Sequence, residues 1–137
     1  MLRMQRTVYD AIIDRGREGA PEEVCGVLAG DYGDEESAAI DSHPIENVAE
    51  RPETRYELNP ETLLSRIDDI ESRGLDVVGF YHTHPTGPPH PSVVDAERAT
   101  WSEYSYVICA YDGHPFVGSW RWREGGFEQE LVSIGVE

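Results

Sequence analysis

Residues 75–85 have the sequence LDVVGFYHTHP, an apolar run that ends in two histidines separated by one residue. The run is rich in β-branched and aromatic side chains and predicts a buried β-strand. Because side chains alternate across a strand with a period of two, His82 and His84 project from the same face. The stretch therefore predicts a strand whose end presents two imidazoles together.

A short helix is predicted after this strand. A Pro- and Gly-rich segment leads to Ser92 and, three residues later, Asp95, which share one face of a helix that begins at Ser92. Two neutral imidazoles and one carboxylate leave a fourth position for water, which is the pattern of a catalytic zinc site. The same groups also make a facial triad for mononuclear iron(II). In addition, Ser92 and Asp95 are ordinary residues for a helix N-terminus, so the pattern alone leaves these alternatives open.

The spacing of these residues resembles the signature of the JAMM/MPN+ metalloproteases. That signature is an upstream glutamate, a His-Ser/Thr-His-Pro motif, six further residues, a serine, two residues and an aspartate. It is complete here as His82-Thr83-His84-Pro85, residues 86–91, Ser92, Val93-Val94 and Asp95. The resemblance covers nearly the whole chain and implies one zinc ion per chain, held by His82, His84 and Asp95.

The resemblance also implies a general base and an oxyanion donor. Glu22 and Glu23 are adjacent, so local chemistry does not distinguish them. The family's catalytic glutamate lies in a Pro-x-Glu-x-Cys-Gly stretch, which is present here at residues 21–26 and selects Glu23. Its carboxylate is expected to carry a proton from the activated water to the leaving amine, and the Ser92 hydroxyl is expected to donate to the oxyanion.

The substrate implied by the resemblance is the amide or isopeptide bond after the Gly-Gly tail of a ubiquitin-like modifier protein. The irregular segment 47–55 lies where the family has a substrate-binding insertion, and an extended tail can add as a strand beside residues 47–58. The candidate substrate-binding residues are Asn47, Thr54, Arg55 and Tyr56. The alternatives are a sulfur-carrier-protein peptidase that releases a C-terminal amino acid such as cysteine, a mononuclear iron(II) oxygenase and a non-catalytic scaffold of the same fold.

The charge balance of the chain is extreme. Asp and Glu number 27 against 11 basic residues, all of them arginine, for a net charge of −16. Self-repulsion of this size destabilises a compact fold unless salt screens it, and a lysine-free acidic composition is typical of salt-in halophilic archaea. An acidic surface for a basic partner is the competing interpretation. The chain has no basic patch that could neutralise phosphates, which argues against a nucleic-acid partner.

Length and hydropathy predict one domain over residues 1–137. There is no long apolar run and no signal-peptide pattern, so we predict a cytoplasmic protein without a membrane partner. Cys25 and Cys109 lie in apolar, strand-like runs and are predicted to be buried free thiols.

The order of predicted elements indicates an α+β fold, an α/β/α sandwich with a mostly antiparallel mixed sheet flanked by helices. Hydrophobic periodicity predicts helices over residues 3–17 and 60–72, besides the short one at residue 92. Besides the histidine strand, we predict strands over 25–29, 37–42, 104–110, 116–122 and 127–132, hairpin turns at 112–113 and 124–126, and an exposed loop over 44–55.

Overall fold

The computed structural model describes residues 1–112 and 116–135. In those residues the elements are, in chain order, β1 (Leu2–Gln5), α1 (Arg6–Gly19), β2 (Cys25–Asp31), β3 (Ser37–Ile45), α2 (Pro60–Ser72), β4 (Asp76–His84), α3 (Val93–Arg98), β5 (Ser105–Ala110), β6 (Phe116–Arg123), β7 (Gly126–Glu130) and β8 (Val132–Gly135).

The strands form one mixed sheet in the order β7-β6-β5-β4-β2-β3-β1-β8. Four of the seven pairings in the described residues are antiparallel and three are parallel. The histidine strand β4 lies inside the sheet, parallel to β5 on one side and antiparallel to β2 on the other. The mixed, mostly antiparallel sheet of the prediction is therefore confirmed.

Helices cover both faces of the sheet. Helix α1 packs Val8 and Ile12 on one face, against a cluster that includes Val78 and Tyr81 of β4. Helix α2 packs Ile70 on the other face, in a cluster that includes Phe80 of β4. Because β4 is buried on both faces, its sequence is apolar at nearly every position instead of alternating. The sandwich of the prediction is confirmed, and the histidines lie on the α2 face with Phe80 because of the period of two.

The N-terminal prediction was wrong over its first residues. The helix was expected to begin at residue 3, but Leu2–Gln5 is a strand and α1 begins at Arg6. Leu2 and Met4 both point into the core, and the strand pairs in parallel with β3 and β8. Parallel pairing with distant segments leaves no trace in local periodicity, so the sequence pattern did not reveal it.

The predicted strand over 127–132 is divided into two. Strand β7 pairs with β6 at one edge of the sheet, whereas β8 pairs with β1 at the other edge. Leu131, whose relative exposure is 76%, is the single residue between them. The two edges of the sheet must therefore approach each other at Leu131. The predicted strand is interrupted there because its two halves pair with different strands, β6 and β1.

Strand β3 is longer than the predicted 37–42 and runs through Pro44 into the expected loop. Pro44 pairs with Gly26 of β2, while the pairing of β3 with β1 covers only residues 37–39. On the edge of β3 that faces away from β2, no described strand pairs with Pro44. A residue without a backbone N–H is tolerated at such a position. The irregular segment begins only after Ile45.

Other local predictions are confirmed. Helix α2 spans the predicted residues, and its N-cap Asn59 accepts hydrogen bonds from Glu61 N and Thr62 N. Glu124 and Gly125 have φ values of 51° and 78°, as a two-residue hairpin turn requires. Of the turn predicted at 112–113, Gly113 lies outside the described residues. Both cysteines are buried and free within the described residues. No helix in the described ranges is long and apolar enough to cross a membrane.

Candidate metal centre and active site

The register between β2 and β4 brings two distant parts of the sequence together. Cys25 lies opposite His82 in the antiparallel pair, and the same alignment continued by two residues sets Glu23 opposite His84. Thr83 secures this continuation, since its N–H donates to Val24 O and its Oγ1 accepts from Val24 N, both at 3.0 Å. The residue between the two histidines therefore holds the segment that carries Glu23.

Three ligand atoms form a triangle at the end of β4. Asp95 Oδ2 lies 3.1 Å from the Nε2 atoms of both His82 and His84, and these two nitrogens lie 3.1 Å apart. All three residues are at most 5% exposed. Atoms that bind one zinc ion tetrahedrally at about 2.0–2.1 Å lie about 3.3 Å apart. The triangle thus has nearly the size of one face of a zinc tetrahedron.

Neighbouring groups orient each member of this triangle. His84 Nδ1 lies 2.8 Å from Pro88 O and donates to it, which leaves the Nε2 lone pair for a metal. The ring of Tyr56 stacks on His82 with 4.1 Å between centroids. Ser92 N donates to Asp95 Oδ2 at 2.9 Å, and Asp95 N donates to Ser92 Oγ at 3.0 Å. This capping box begins α3 and, at the same time, aims the Asp95 carboxylate.

The electrostatics favour the charge state that a metal needs at Asp95 and His82, but not at His84. Burial alone raises the pKa of Asp95, but hydrogen bonds from both histidines and from Ser92 N hold that pKa well below its usual range. Burial lowers the pKa of His82, which keeps its ring neutral. Burial also acts to lower the pKa of His84, but its hydrogen bonds with Asp95 and Pro88 O outweigh this and raise it. A metal ion competes with that proton for Nε2.

Glu23 is a buried carboxyl group beside this triangle. It is 5% exposed, and its Oε1 has no hydrogen-bond partner among the described residues. Burial raises its pKa to about 7, a shift that the charge of His84 opposes and that of Asp95 reinforces. A carboxyl group with these properties suits proton transfer near neutral pH.

Glu23 also belongs to a second possible ligand set. A Glu23 oxygen and ring nitrogens of His82 and His84 all lie within 4.8 Å of one another. The Asp95 set is tighter, with all three separations at 3.1 Å. The residues present therefore fit a single metal ion, with one carboxylate close to both imidazoles and a second carboxylate farther from them.

The four candidate substrate-binding residues lie in or beside one loop. Thr54 and Arg55 are exposed in a turn in which both backbone N–H groups donate to Arg51 O. Tyr56 is buried against His82, and Asn47 is half-buried with its side chain hydrogen-bonded on all sides. The structure thus brings Asn47 and Tyr56 to the site and leaves Thr54 and Arg55 at the surface. Their role in binding substrate stays a prediction.

The supporting residues of the site were not predicted from the sequence. Thr83 was part of the motif without a role of its own, and Pro52 and Pro88 were not singled out. The preference of the family motif for Ser or Thr between the histidines was a usable signal, because both carry a hydroxyl that can accept from a backbone N–H. Pro52 O accepts from Glu23 N at 2.7 Å and Pro88 O accepts from His84 Nδ1 at 2.8 Å, and because both contacts use backbone carbonyls, the two side chains carried no signal.

Comparison with known proteins agrees with this geometry. The chain is 46% identical over 132 residues to a desampylase of Haloferax volcanii, with 93% of this chain and 91% of that protein covered. It is 30% identical over 136 residues to the CysO-cysteine peptidase of Mycobacterium tuberculosis, covering 98% and 91%. A solved structure of a protein from Desulfitobacterium hafniense has the same fold, with a TM-score of 0.90 at 23% identity over 100% of this chain and 94% of that one.

The family described as prokaryotic homologs of the JAB domain matches residues 5–123. That range contains Glu23, the histidine motif, Ser92 and Asp95 together with the strands and helices that carry them. The resemblance to the JAMM/MPN+ metalloproteases is confirmed by this match, and the chain belongs to the family of prokaryotic JAB-domain homologs.

Proposed function

We propose that this protein is a zinc-dependent isopeptidase that hydrolyses the amide bond after the C-terminal Gly-Gly tail of ubiquitin-like small modifier proteins. The observation that carries the proposal is the buried triangle of His82, His84 and Asp95 with the Glu23 carboxyl group beside it. Similarity to a desampylase over nearly the full length of both chains supports removal of a modifier.

The residues of the site would divide the chemistry among them. His82, His84 and Asp95 would hold a zinc ion, which when bound supplies a Lewis acid and lowers the pKa of water to about 7. Glu23 accepts a proton from the attacking water and delivers it to the leaving amine nitrogen as the C–N bond breaks. The Ser92 oxygen accepts from Asp95 N, so its own proton remains available for the developing oxyanion.

The loop over residues 47–58 would receive the modifier tail. It is irregular except for one antiparallel bridge between Asn47 and Leu58, and it contacts the site through Tyr56 on His82. An extended tail beside this loop gains main-chain hydrogen bonds, and its two terminal glycines need no room for side chains.

Cleavage of a defined conjugate tests the proposal. Zinc-loaded protein is incubated in high salt, as its acidic composition requires, with a Gly-Gly-tailed modifier joined to a lysine side chain through an isopeptide bond. We expect mass spectrometry to show cleavage directly after the second glycine, with loss of activity in Glu23→Gln. A zinc-replete protein that leaves this conjugate intact would contradict the proposal.

A second candidate is a sulfur-carrier-protein peptidase that releases a single C-terminal amino acid such as cysteine. The similarity to the CysO-cysteine peptidase, which covers 98% of this chain, favours it. Both reactions use the same site, so the leaving group distinguishes them. A modifier–cysteine fusion assayed beside the lysine conjugate decides between them through the ratio of the two kcat/KM values.

The identity of the metal and its third ligand can be tested together. Metal analysis of protein purified without added metal should give about one zinc per chain, whereas stoichiometric iron with oxygen-dependent turnover would favour the oxygenase alternative. Asp95→Ala should lose the metal and Glu23→Gln should keep it. The reverse result would make Glu23 the third ligand. The cytoplasmic location stays a prediction from the sequence.

A further inference from the structure

We propose that Asn47 is a positioning residue for Glu23 and that it ties the general base to the shape of the 47–58 loop. The inference rests on the proposed function, because it concerns how the general base of that reaction is held. It assigns Asn47 a role in turnover that differs from direct contact with substrate.

The Glu23 carboxyl group has little support of its own. Its Oε1 is buried and lacks a hydrogen-bond partner among the described residues. The segment that carries it, between α1 and β2, is neither helix nor strand. The position of the carboxylate therefore depends on how firmly the backbone of Glu23 is held.

Both backbone groups of Glu23 are held by the 47–58 loop. Glu23 N donates to Pro52 O at 2.7 Å, and Glu23 O accepts from Asn47 Nδ2 at 2.9 Å. The first bond is between backbone groups, so almost any residue at position 52 could make it. The second needs a side chain with an N–H donor of the right length at position 47.

The same side chain also shapes the loop. Asn47 Nδ2 donates a second bond to Arg55 O at 3.0 Å, and Oδ1 accepts from Ala49 N at 3.0 Å and from Glu57 N at 2.9 Å. Two N–H donors and two lone pairs are the full capacity of an asparagine amide. Because all four are used, a change in the loop around residues 49–57 strains or breaks the bond that holds Glu23.

The functional consequence follows from the precision that proton transfer needs. A displacement of about 1 Å at a reacting group can cost about 10²-fold in rate. A modifier tail bound along the loop would restrain its backbone and, through Asn47, the backbone of Glu23. Asn47 thus couples occupation of the loop to the placement of the general base.

Two variants of Asn47 separate its donors from its acceptors. Asn47→Asp keeps oxygen acceptors for Ala49 N and Glu57 N but loses the donors to Glu23 O and Arg55 O. Asn47→Ala loses all four bonds. The matched control is Asn59→Ala, because Asn59 accepts from Glu61 N and Thr62 N and donates to Glu46 Oε1.

Asn59 lies just beyond the other end of the loop and none of its side-chain bonds reaches Glu23. Asn59→Ala should therefore lower stability through the lost N-cap of α2 without moving the base.

Two measurements are made on each zinc-loaded protein: steady-state kinetics on the lysine-linked Gly-Gly modifier, and hydrogen exchange of the Glu23 amide by NMR. In Asn47→Asp we expect kcat to fall about 10–10²-fold with bound zinc unchanged. The Glu23 amide donates to Pro52 O, a bond that Asn47→Asp keeps, so we expect its exchange to rise about 2- to 12-fold through easier local opening of a segment that has lost the hydrogen bond to Glu23 O. Asn59→Ala should leave both quantities near the wild-type values despite a lower Tm.

Unchanged kcat and unchanged Glu23 exchange in Asn47→Asp would overturn the inference. So would an equal loss of kcat in Asn59→Ala, since that would assign the effect to general destabilisation. If the wild-type protein does not cleave the conjugate, the proposed function fails. The exchange comparison then decides the positioning role by itself, and unaltered exchange in Asn47→Asp would overturn it.

Discussion

Two clusters of polar side chains are buried within the described residues, and they differ in how their hydrogen-bonding capacity is used. The candidate metal centre lies at the C-terminal end of β4. The second cluster surrounds Arg121 of β6 and Glu130 of β7, and includes Ser105, which pairs with Gly79 near the opposite end of β4. Both clusters are nearly inaccessible to solvent.

In the Arg121 cluster the partners come from the protein itself. Arg121 donates to Glu130 Oε1 at 3.1 Å, to the carbonyls of Asp34 and Glu103, and to Ser37 Oγ. Glu130 Oε2 accepts from the hydroxyls of Ser105 and Ser119, each at 2.7 Å. Its charges and hydroxyls are thus mutually paired, as expected of a structural network.

At the candidate metal centre three potential ligand atoms lie 3.1 Å from one another, and the carboxyl group of Glu23 adds an oxygen without a partner among the described residues. Burial without partners is costly unless something outside the chain supplies them. The contrast favours ligand binding at the first cluster and a structural role at the second, although both contain charged residues.

The largest expected effect is at the imidazole ligands. His84→Ala should lose bound zinc and all hydrolysis, because two protein ligands do not hold the ion. The Tm of the wild-type protein should rise with added zinc, and that of the variant should not, since a ligand stabilises only the state that binds it. Metal analysis and melting curves measure both effects.

His90→Ala is the matched control for that experiment, because His90 lies in the same segment with an exposed side chain. It should retain zinc and activity. Loss of zinc in His90→Ala together with retention in His84→Ala would place the metal elsewhere.

Replacing the general base comes next. Glu23→Gln should lower kcat by about 10²–10⁴-fold while zinc content and fold are retained, because only the proton acceptor is removed. Glu22→Gln, at an exposed neighbouring position, should be nearly silent. An inactive Glu22 variant beside an active Glu23 variant would show that the adjacent glutamate is the base.

Ser92 should have a somewhat smaller effect, because it donates one hydrogen bond in the transition state. Ser92→Ala is expected to lower kcat by about 10²–10³-fold with zinc retained. Ser92→Gly also lacks the hydroxyl but costs only a few tenths of a kcal/mol at an N-cap. Similar kcat values with different Tm values in the two variants would support the oxyanion role, whereas zinc loss in both would indicate a structural one.

Disruption of the Arg121 cluster should have the smallest effect on kcat and a large effect on the free energy of unfolding. Arg121→Met leaves the buried Glu130 carboxylate with only the Met1 amino group, 3.3 Å from Oε1, as a charge partner, which should cost up to about 3–5 kcal/mol in the free energy of unfolding. The kcat of the folded fraction should not change. A lower kcat in the folded, zinc-loaded Arg121→Met variant would contradict the assignment of a purely structural role to this cluster.

The milder variant Glu130→Gln tests the same network through pH. Burial raises the pKa of Glu130, but hydrogen bonds from Ser105 and Ser119 and the charge of Arg121 outweigh it and lower that pKa. A lowered folded pKa contributes stability above the unfolded value of about 4.3, which is lost as the pH falls through the folded pKa. In the wild type the free energy of unfolding should be lower at acid pH than at pH 7. This difference should be smaller in Glu130→Gln.

Short-range features of the chain were predictable from the sequence. The period of a strand put His82 and His84 on one face, and the helical spacing of Ser92 and Asp95 gave the capping box that aims the carboxylate. Helix α2 was predicted with its observed bounds, because Pro60 and Gly74 mark its ends in the local sequence. Each of these features depends on residues fewer than about fifteen positions apart.

Pairing between distant segments was decided only in the folded chain. Glu23 meets His84, 61 positions later, through the register of β2 on β4, and Asn47 reaches Glu23 through the fold of its loop. The strand at Leu2–Gln5 and the division of the last strand arise because β1 and β8 pair with each other. Local periodicity reports which face of an element is apolar, whereas the choice of partner depends on the packing of the whole sheet. The sequence therefore determined the candidate metal ligands and their faces, and the tertiary structure determined how Glu23, the candidate general base, is placed and held.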